Sequence, residues 1–306
     1  MKKRIPSILA AVALIAFTSC ANVQPSGDVL SVDDPSGAPS TSQSASADNE
    51  ASEPPDVAQE SESETWVEIR RTSYKSDGSI SSITEFEYDS FGNLIKQTRD
   101  GGAGGWTEYE YDATNRLIKE TSFKNDSSIS SWSEYEYDTS GHCIRKNSHN
   151  AVRDGFQNPW TEYEYDADGH CTKEIPFNED GSVSGTWTEY QYDSEGRMVK
   201  RLLYTSSNTE PSYIEESYYN EAGDAVKDIL FDSAGNITSW KEYVLDESGN
   251  CEILYYDKNG EIKGRGVNNY DAARNLIEAI DYKGDGSLNS RYVFDYELLE
   301  NEIGTR

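Results

Sequence analysis

Two adjacent His-Cys pairs are the side chains of this sequence with the clearest capacity for metal chemistry. They are His142-Cys143 and His170-Cys171, and they occupy matching places in neighbouring repeats. Imidazole and thiolate are preferred ligands of zinc. Adjacent residues of a strand face opposite sides, however, so each pair would be divided between two faces. We therefore expect no metal site, and we expect Cys143 and Cys171, with Cys251, to be small buried residues.

Acidic turns are a second possible ligand set. One of them is Asp166-Ala167-Asp168-Gly169. It lacks the alternating ligands and the closing glutamate of an EF-hand calcium loop. We expect an ordinary β-turn at this position.

Catalytic groups are not gathered in any motif. The chain has three histidines, of which His149 lies in an irregular insert, Asn147 to Pro159, and it has no nucleophile motif. Its many carboxylates could supply a glycosidase pair, which needs only a suitable separation, but no pair stands out. We therefore expect a non-enzymatic protein with no cofactor.

Tryptophan recurs at one position of a repeated heptapeptide. WTEYEYD occurs at Trp106–Asp112 and Trp160–Asp166, and WSEYEYD and WTEYQYD are close variants. The candidate ligand-binding residues are Trp106, Trp132, Trp160, Trp187 and Trp240. A row of exposed indole rings could stack on the sugar rings of a polymer. The alternative is that these rings are the packed face of a sheet.

The heptapeptide belongs to a repeat of about 26 residues. The residue that ends the motif recurs in steps of 23 to 28 residues from Asp89 to Glu297. Alternate residues of the motif fall on two faces, which is the period of a strand. The two sets are Thr107, Tyr109 and Tyr111 on one face, and Trp106, Glu108 and Glu110 on the other. A D-x-x-G turn follows, with Gly at a positive-φ position, and then a second strand.

The repeats predict an all-β fold over residues 65–306. We expect tandem antiparallel β-hairpins that form an elongated, twisted or coiled solenoid-like sheet. In the last units Arg265 and Arg291 replace Trp, and Asn268 replaces an inner Tyr. Such drift is typical of terminal repeats that meet water. At the other end, Trp66 to Ser82 resembles half a unit, which we expect to be the second cap.

Two charged columns accompany the repeats. The cations are Lys96, Lys119, Arg145, Lys173, Lys200 and Lys227, and the glutamates are Glu85, Glu108, Glu134, Glu162, Glu189, Glu216 and Glu242. With a three-residue bulged turn, each cation lies across from the first Tyr of the motif and meets Glu only diagonally, although a one-residue slip would change this pairing. In either register we expect structural charge ladders rather than acid and base catalysts.

The pattern Y-x-Y-D-x-x-G-x-L resembles the YD repeat of RHS-type proteins. It is present at Phe86–Leu94, with Phe for the first Tyr, and at Tyr190–Met198, with Met for the Leu. In that family the repeats form β-hairpins that coil into a long strip, sometimes a shell around cargo, and serve extracellular recognition, adhesion or toxin packaging. The units of this chain are longer and more acidic, and nine are too few for a large closed shell. The D-P-x-G-L signature that precedes toxin domains is absent.

Residues 1–20 have the pattern of an export signal. A basic start at Lys2–Arg4 is followed by the apolar run Ile8–Phe17, which is too short to span a bilayer. Phe17–Cys20 resembles a bacterial lipobox, in which the cysteine is lipidated. The resemblance implies that an acyl group on Cys20 anchors the protein to a membrane without a transmembrane helix.

Residues 21–64 are predicted to be a disordered tether. They are rich in Ser and Pro and contain ten acidic residues but no Lys or Arg. Such a segment cannot bury enough apolar surface to offset the entropy of ordering, and its charges repel one another.

The sequence as a whole predicts a lipid-anchored, extracytoplasmic protein of the bacterial cell envelope. Its hairpin array would bind a surface glycan or an extracellular protein. The alternatives are a passive envelope scaffold or spacer, and a remnant of an RHS-type toxin-delivery protein. The net charge of -29 argues against nucleic acid as a partner, because a nucleic acid attracts clusters of Lys and Arg.

Overall fold

The computed structural model describes residues 65–101, 104–151, 158–206 and 208–299. The predicted signal segment, the lipidation site Cys20 and the predicted tether lie outside these residues. The described residues form 18 β-strands and turns, which confirms the all-β prediction. They include no helix of the length and hydrophobicity needed to cross a membrane.

Each repeat contributes two strands, and the strands follow one another at short intervals. Their bounds are β1 Trp66–Tyr74, β2 Ile80–Tyr88, β3 Leu94–Asp100, β4 Gly105–Tyr111, β5 Leu117–Lys124, β6 Ile129–Tyr137, β7 Cys143–Asn150, β8 Trp160–Tyr165, β9 Cys171–Phe177, β10 Thr186–Tyr192, β11 Met198–Thr205, β12 Tyr213–Tyr219, β13 Ala225–Asp232, β14 Ile237–Leu245, β15 Cys251–Asp257, β16 Ile262–Tyr270, β17 Leu276–Lys283 and β18 Leu288–Leu298.

The 18 strands form one closed antiparallel sheet. Every strand pairs with the next along the chain, and β1 also pairs with β18 from Trp66↔Leu298 to Tyr74↔Arg291. The hairpin repeats are therefore confirmed, but the sheet is closed, whereas the sequence predicted an elongated, twisted or coiled solenoid-like sheet. An open antiparallel sheet leaves two edges of unpaired backbone groups, and β1, the half unit, supplies the partner that β18 would lack. An even number of strands lets the alternating directions close without a mismatch.

The predicted caps are joints within this ring. Asn268 is only 4% exposed, so it does not meet water. Arg291 places its guanidinium 4.9 Å from the ring centroid of Tyr74 on β1, and its Nε lies 2.7 Å from Glu278. Of these replacements, Arg291 therefore packs against the first strand, and Asn268 is buried between β15 and β17. The sequence alone gave no sign that the two ends meet.

The D-x-x-G turns form as predicted. In the β6–β7 hairpin, Asp138 accepts hydrogen bonds from the backbone N–H groups of Ser140 (2.9 Å) and His142 (2.8 Å). Gly141 has φ of 91°, a conformation in which a Cβ would be strained. A β-bulge follows, because Tyr137 opposes Cys143 whereas the preceding Glu136 opposes Arg145.

The bulge sets the register of the charge ladders. In β5 the bulged residue is Ile118, so Lys119 lies directly opposite Glu110 in its own hairpin and opposite Glu134 on the next strand. Tyr109 faces Glu120 instead. The diagonal pairing expected from the turn length was therefore wrong, and the one-residue alternative is observed. Lys173, Lys200 and Lys227 form ion pairs with a glutamate of the next hairpin.

One face of the sheet is the inner wall of the closed structure. A buried cluster of Ala225, Tyr243, Cys251 and Ile253 lies on this face. Cys143 is buried as well, whereas Cys171 is half-buried, so the prediction of three buried cysteines holds for two. None of the three described cysteines forms a disulfide. Burial raises the pKa of the Cys251 thiol to about 11.

Candidate ligand-binding surface

The last tyrosine of each motif joins neighbouring hairpins along the inner wall. Its hydroxyl donates a hydrogen bond to the backbone carbonyl of a residue about one unit earlier, as from Tyr165 to Cys143 at 2.8 Å. The other pairs are Tyr88 to Glu68, Tyr111 to Leu94, Tyr137 to Leu117, Tyr192 to Cys171, Tyr219 to Met198 and Tyr296 to Leu276. These hydroxyls are engaged in holding the sheet together.

Burial also changes the acidity of the inner tyrosines. Desolvation disfavours the charged phenolate, and it raises the pKa to about 12 in five of them. These are Tyr109, Tyr111, Tyr192, Tyr255 and Tyr296. The tyrosine face is thus the desolvated side of the sheet, and the tryptophan face is its outside.

Charges of alternating sign line the inner wall over five consecutive hairpins. They occupy the third position after the Leu, Cys, Met or Ala that begins each second strand: Glu120, Lys146, Glu174, Arg201 and Asp228. Sequence reasoning missed this series, although its fixed offset and alternating sign were visible. The series shows that the inner wall is polar over much of its circumference.

These inner charges have close partners. Lys146 Nζ lies 3.0 Å from Glu120, and Lys241 Nζ lies 2.9 Å from Asp228. The hydroxyl of Tyr243 donates to the same Asp228 carboxylate at 2.8 Å. Burial raises the pKa of Glu174, and a hydrogen bond from the Tyr190 hydroxyl opposes that shift. A buried charge needs such partners to be tolerated.

The predicted ligand-binding tryptophans all lie on the outer face, half-buried. Each indole is stacked on an aromatic ring of the paired strand, with centroids 3.9 to 5.3 Å apart and planes 6° to 15° from parallel. The pairs are Trp106–Phe123, Trp132–His149, Trp160–Phe177, Trp187–Tyr204 and Trp240–Tyr256. We call these five pairs the outer aromatic row. Sequence reasoning did not identify the partner rings.

Carboxylates hold the indoles from the same strand. The Nε1 of Trp106 donates to Glu108 at 2.9 Å, and the Nε1 of Trp160 donates to Glu162 at 2.9 Å. These contacts join residues two positions apart on one face. The rings are therefore held in place before any ligand arrives.

Cations of the chain also approach some of these rings. Lys173 Nζ lies 5.4 Å from the ring centroid of Trp187 and 3.3 Å from the carboxylate of Glu189. The Arg145 guanidinium lies 4.6 Å from the centroid of Trp160. A cation over an indole face is attracted by the ring quadrupole. The row thus combines aromatic surfaces with sites that accommodate a positive charge.

The histidine and the cysteine of each His-Cys pair lie in different environments. His142 stacks on Tyr165 with centroids 4.7 Å apart, and its Nδ1 lies 3.2 Å from Asp138. The side chain of its neighbour Cys143 is buried. His170 likewise stacks on Tyr192. This separation is the one expected for adjacent residues of a strand, which face opposite sides of the sheet.

One turn brings together donors that sequence reasoning had not combined. Ligand atoms of Asp166, Asp168 and His170 lie within 4.8 Å of one another and border a groove of about 980 Å³. Two carboxylates and an imidazole could hold a divalent cation. However, Asp166 already accepts the backbone N–H groups of Asp168 and His170, which keep its pKa below the ordinary value. The turn explains these contacts without a metal.

The predicted insert borders a second, smaller cavity. Ser131, Ser133, Ser148 and the stacked pair Trp132 and His149 line a cavity of about 340 Å³. The His149 Nδ1 lies 3.0 Å from Asn158. Residues 152–157 of the insert lie outside the described residues. This cavity adjoins the outer aromatic row at its second pair.

Comparisons with known proteins identify the repeat. A family model described as RHS Repeat matches residues 88–126. No curated protein matches the chain. A porin-like protein from Bacteroides uniformis is similar over 75% of this chain and 98% of that one, at 10% identity and a TM-score of 0.43.

Two further solved structures are similar at lower scores. A putative exported protein with a YmcC-like fold from Bacteroides fragilis is 14% identical over 75% of this chain and 94% of that one, with a TM-score of 0.21. The TcdB2-TccC3 structure without its hypervariable C-terminal region is 11% identical over 70% of this chain, with a TM-score of 0.25. This chain spans 16% of the length of that structure. The family match over residues 88–126 therefore supports the RHS-like, YD-type character of the repeats.

Proposed function

We propose that this chain is a non-enzymatic, lipid-anchored protein of the bacterial cell surface that binds an extracellular glycan through the outer aromatic row. The observation that carries the proposal is the placement of five half-buried indoles on the outer face, each stacked on a second ring. Aromatic rings that are partly exposed and held by neighbours are common anchors of binding surfaces.

The spacing of the row suits an extended polymer. Corresponding strands of adjacent hairpins are two strand spacings apart, roughly 9 to 10 Å. This length is comparable with that of a disaccharide in an extended glycan, so alternate sugar rings could meet successive indoles. Because the rings are fixed by their partners and by glutamates, binding would lose little side-chain entropy.

The sequence supports the proposed lipid anchor and location. The lipobox-like Phe17–Cys20 supports export and acylation of Cys20, and the predicted tether of residues 21–64 would extend the closed sheet away from the membrane. The absence of a nucleophile motif supports a binding role over catalysis.

A passive spacer is the second candidate. Cations of the chain already lie over Trp160, Trp187 and Trp240, and they cover part of the surface that a sugar would use. In a spacer, the outer stacks and cation contacts would serve only to stiffen the closed sheet. The ligand could also be an extracellular protein, which a glycan screen does not test.

The test is a screen of residues 65–306 against purified cell-wall polymers and a glycan panel. These residues include all 18 strands of the closed sheet. We expect saturable binding that is lost in Trp132→Ala and Trp160→Ala, with circular dichroism unchanged. Trp66→Ala is the matched control, because Trp66 is exposed but lies outside the row. Binding that survives both row variants would contradict the proposal, and no binding to any polymer would favour the spacer.

A further inference from the structure

The outer face carries a second row of carboxylates beside the glutamate column that the sequence predicted. Glu87, Glu110, Glu136 and Glu164 occupy one position in four consecutive hairpins, on strands β2, β4, β6 and β8. We call them the acidic row. Three of them, Glu87, Glu110 and Glu164, have side chains 60% to 61% exposed. The row is confined to one part of the ring, because Gln191 and Tyr218 occupy the next two equivalent positions.

The lysines of the outer face neutralise this row only in part, because each is shared with a glutamate of the next hairpin. Lys173 lies 3.3 Å from Glu189 of the next hairpin but 3.8 Å from Glu164 of its own. Lys96 and Lys119 likewise reach Glu87 and Glu110 only at 3.6 and 3.7 Å. Each of these hairpins has one cation opposite two carboxylates, so the outer face over β2–β9 has an excess of negative charge.

The outer face already shows how it accommodates an ammonium group. Lys227 Nζ lies 5.2 Å from the ring centroid of Trp240 and 3.1 Å from Glu242. Lys173 lies between Trp187 and Glu189 in the same way. An indole face beside a carboxylate is therefore a favourable environment for a positive charge on this surface.

We propose that the outer face over β2–β9 selects a glycan built of amino sugars with free ammonium groups over neutral and anionic glycans. The inference rests on the proposed function, and it specifies the ligand class. Sugar rings would stack on Trp106, Trp132 and Trp160 while ammonium groups lie beside the neighbouring glutamates. The acidic row lies on the same face, so its field attracts a cationic polymer and repels an anionic one.

Acidity also keeps proteins soluble, and this is the competing explanation of the row. The two explanations differ in whether the position of the carboxylates matters. A solubility effect depends on the total charge of the protein, whereas ligand selection depends on where the carboxylates lie. Exposed glutamates in the turns provide a matched control: Glu179, Glu221 and Glu247.

The experiment compares two oligosaccharides of equal length, a fully deacetylated hexamer of glucosamine and its fully N-acetylated form. Binding to the full chain in detergent micelles is measured by calorimetry at low and at high salt. We expect the deacetylated hexamer to bind roughly tenfold more tightly at low salt, and we expect salt to reduce that preference. The triple variant Glu110→Gln, Glu136→Gln, Glu164→Gln should lose most of the preference. The control triple Glu179→Gln, Glu221→Gln, Glu247→Gln should retain it.

Three results with the oligosaccharides would overturn the inference. They are equal or tighter binding of the N-acetylated hexamer, an equal effect of the two triple variants, and no binding of the deacetylated hexamer. Poly-lysine of matching charge that binds as tightly as the hexamer would show that only charge is recognised, and would also overturn it. Binding of neutral polymers that depends on Trp132 and Trp160 would still uphold the proposed function, so the two failures are distinguishable.

Discussion

The inner and outer faces of the sheet use aromatic residues in different ways. On the inner wall, tyrosine hydroxyls such as that of Tyr165 donate to backbone carbonyls of the preceding hairpin. On the outer face, indoles such as that of Trp160 stack on a ring of their own hairpin, Phe177. Inner aromatic residues therefore join repeats to one another, whereas outer aromatic pairs are complete within one repeat.

This difference separates stability from binding. Loss of an inner contact should loosen the ring, because neighbouring hairpins depend on it. Loss of an outer indole removes a surface without opening a junction between repeats. The same heptapeptide thus joins the repeats through its Tyr positions and supplies the proposed binding surface through its Trp position. Each prediction below tests one side of this comparison.

Deletion of β1, Trp66–Tyr74, should have the largest effect. The deletion opens the ring and exposes the backbone edges of β2 and β18, which now pair with β1. We expect loss of the cooperative thermal transition, or association through the free edges, measured by circular dichroism and light scattering. Deletion of residues 21–64 is the control and should change neither. A monomeric variant with the original melting temperature would disprove the role of closure.

Alkaline pH should unfold the protein through the inner tyrosines. The folded state raises the pKa of Tyr109, Tyr111 and Tyr192 from 10.0 to about 12. Their contribution to stability is complete below about pH 10 and is lost as the pH rises toward 12, because the unfolded chain then ionises more readily. Phenolate absorbance and circular dichroism should change together in this window. Ionisation near pH 10 with an unchanged fold would contradict burial of these side chains.

Asp228→Ala should destabilise the inner wall more than an equivalent change outside. The substitution leaves Lys241 and the buried hydroxyl of Tyr243 without their carboxylate partner. We expect a loss of about 3 kcal/mol in the free energy of unfolding, as for other broken buried ion pairs. Glu242→Ala, which breaks the outer pair with Lys227, should cost less than about 1 kcal/mol. Equal losses in urea denaturation would remove the distinction between the faces.

Tyr165→Phe should have a smaller effect of the same sign. It deletes the hydroxyl that donates to the Cys143 carbonyl between neighbouring hairpins. The expected loss is about 1 kcal/mol in the free energy of unfolding. Tyr218→Phe is the matched control, because Tyr218 is 44% exposed on the outer face and donates to Glu216. If Tyr218→Phe lowers the melting temperature as much as Tyr165→Phe does, the Tyr165 hydroxyl has no special role in joining the hairpins.

Local features of the fold were predictable from the sequence. The alternation in WTEYEYD separated Trp106 from Tyr109, and the D-x-x-G turns marked the hairpins, because both are set by residues close in sequence. Closure was not predictable, since pairing of Trp66 with Leu298 joins residues at opposite ends of the array. The ladder register was missed because the bulge at Ile118 moves each cation by one residue.

The candidate surface was predictable only in part. The tryptophan positions followed from the repeat, but which face of the sheet is solvated depends on closure. The stacking partners, such as Phe123 for Trp106, lie on the second strand of each hairpin. Which residue of that strand lies opposite each tryptophan depends on the strand register, and the register was not known from the sequence. The inner charges Lys146 and Arg201 were overlooked because alternating signs in successive repeats resemble ordinary surface variation.

Fluorescence quenching by acrylamide, a neutral quencher, measures whether the outer aromatic row is accessible to solvent. It would be measured on residues 65–306 carrying Trp66→Phe, so that only the five indoles of the outer aromatic row contribute. We expect ready quenching of the free protein, and protection once a bound glycan covers the row. Strong shielding in the absence of any ligand would contradict a surface location, because the tryptophans would then belong to a core.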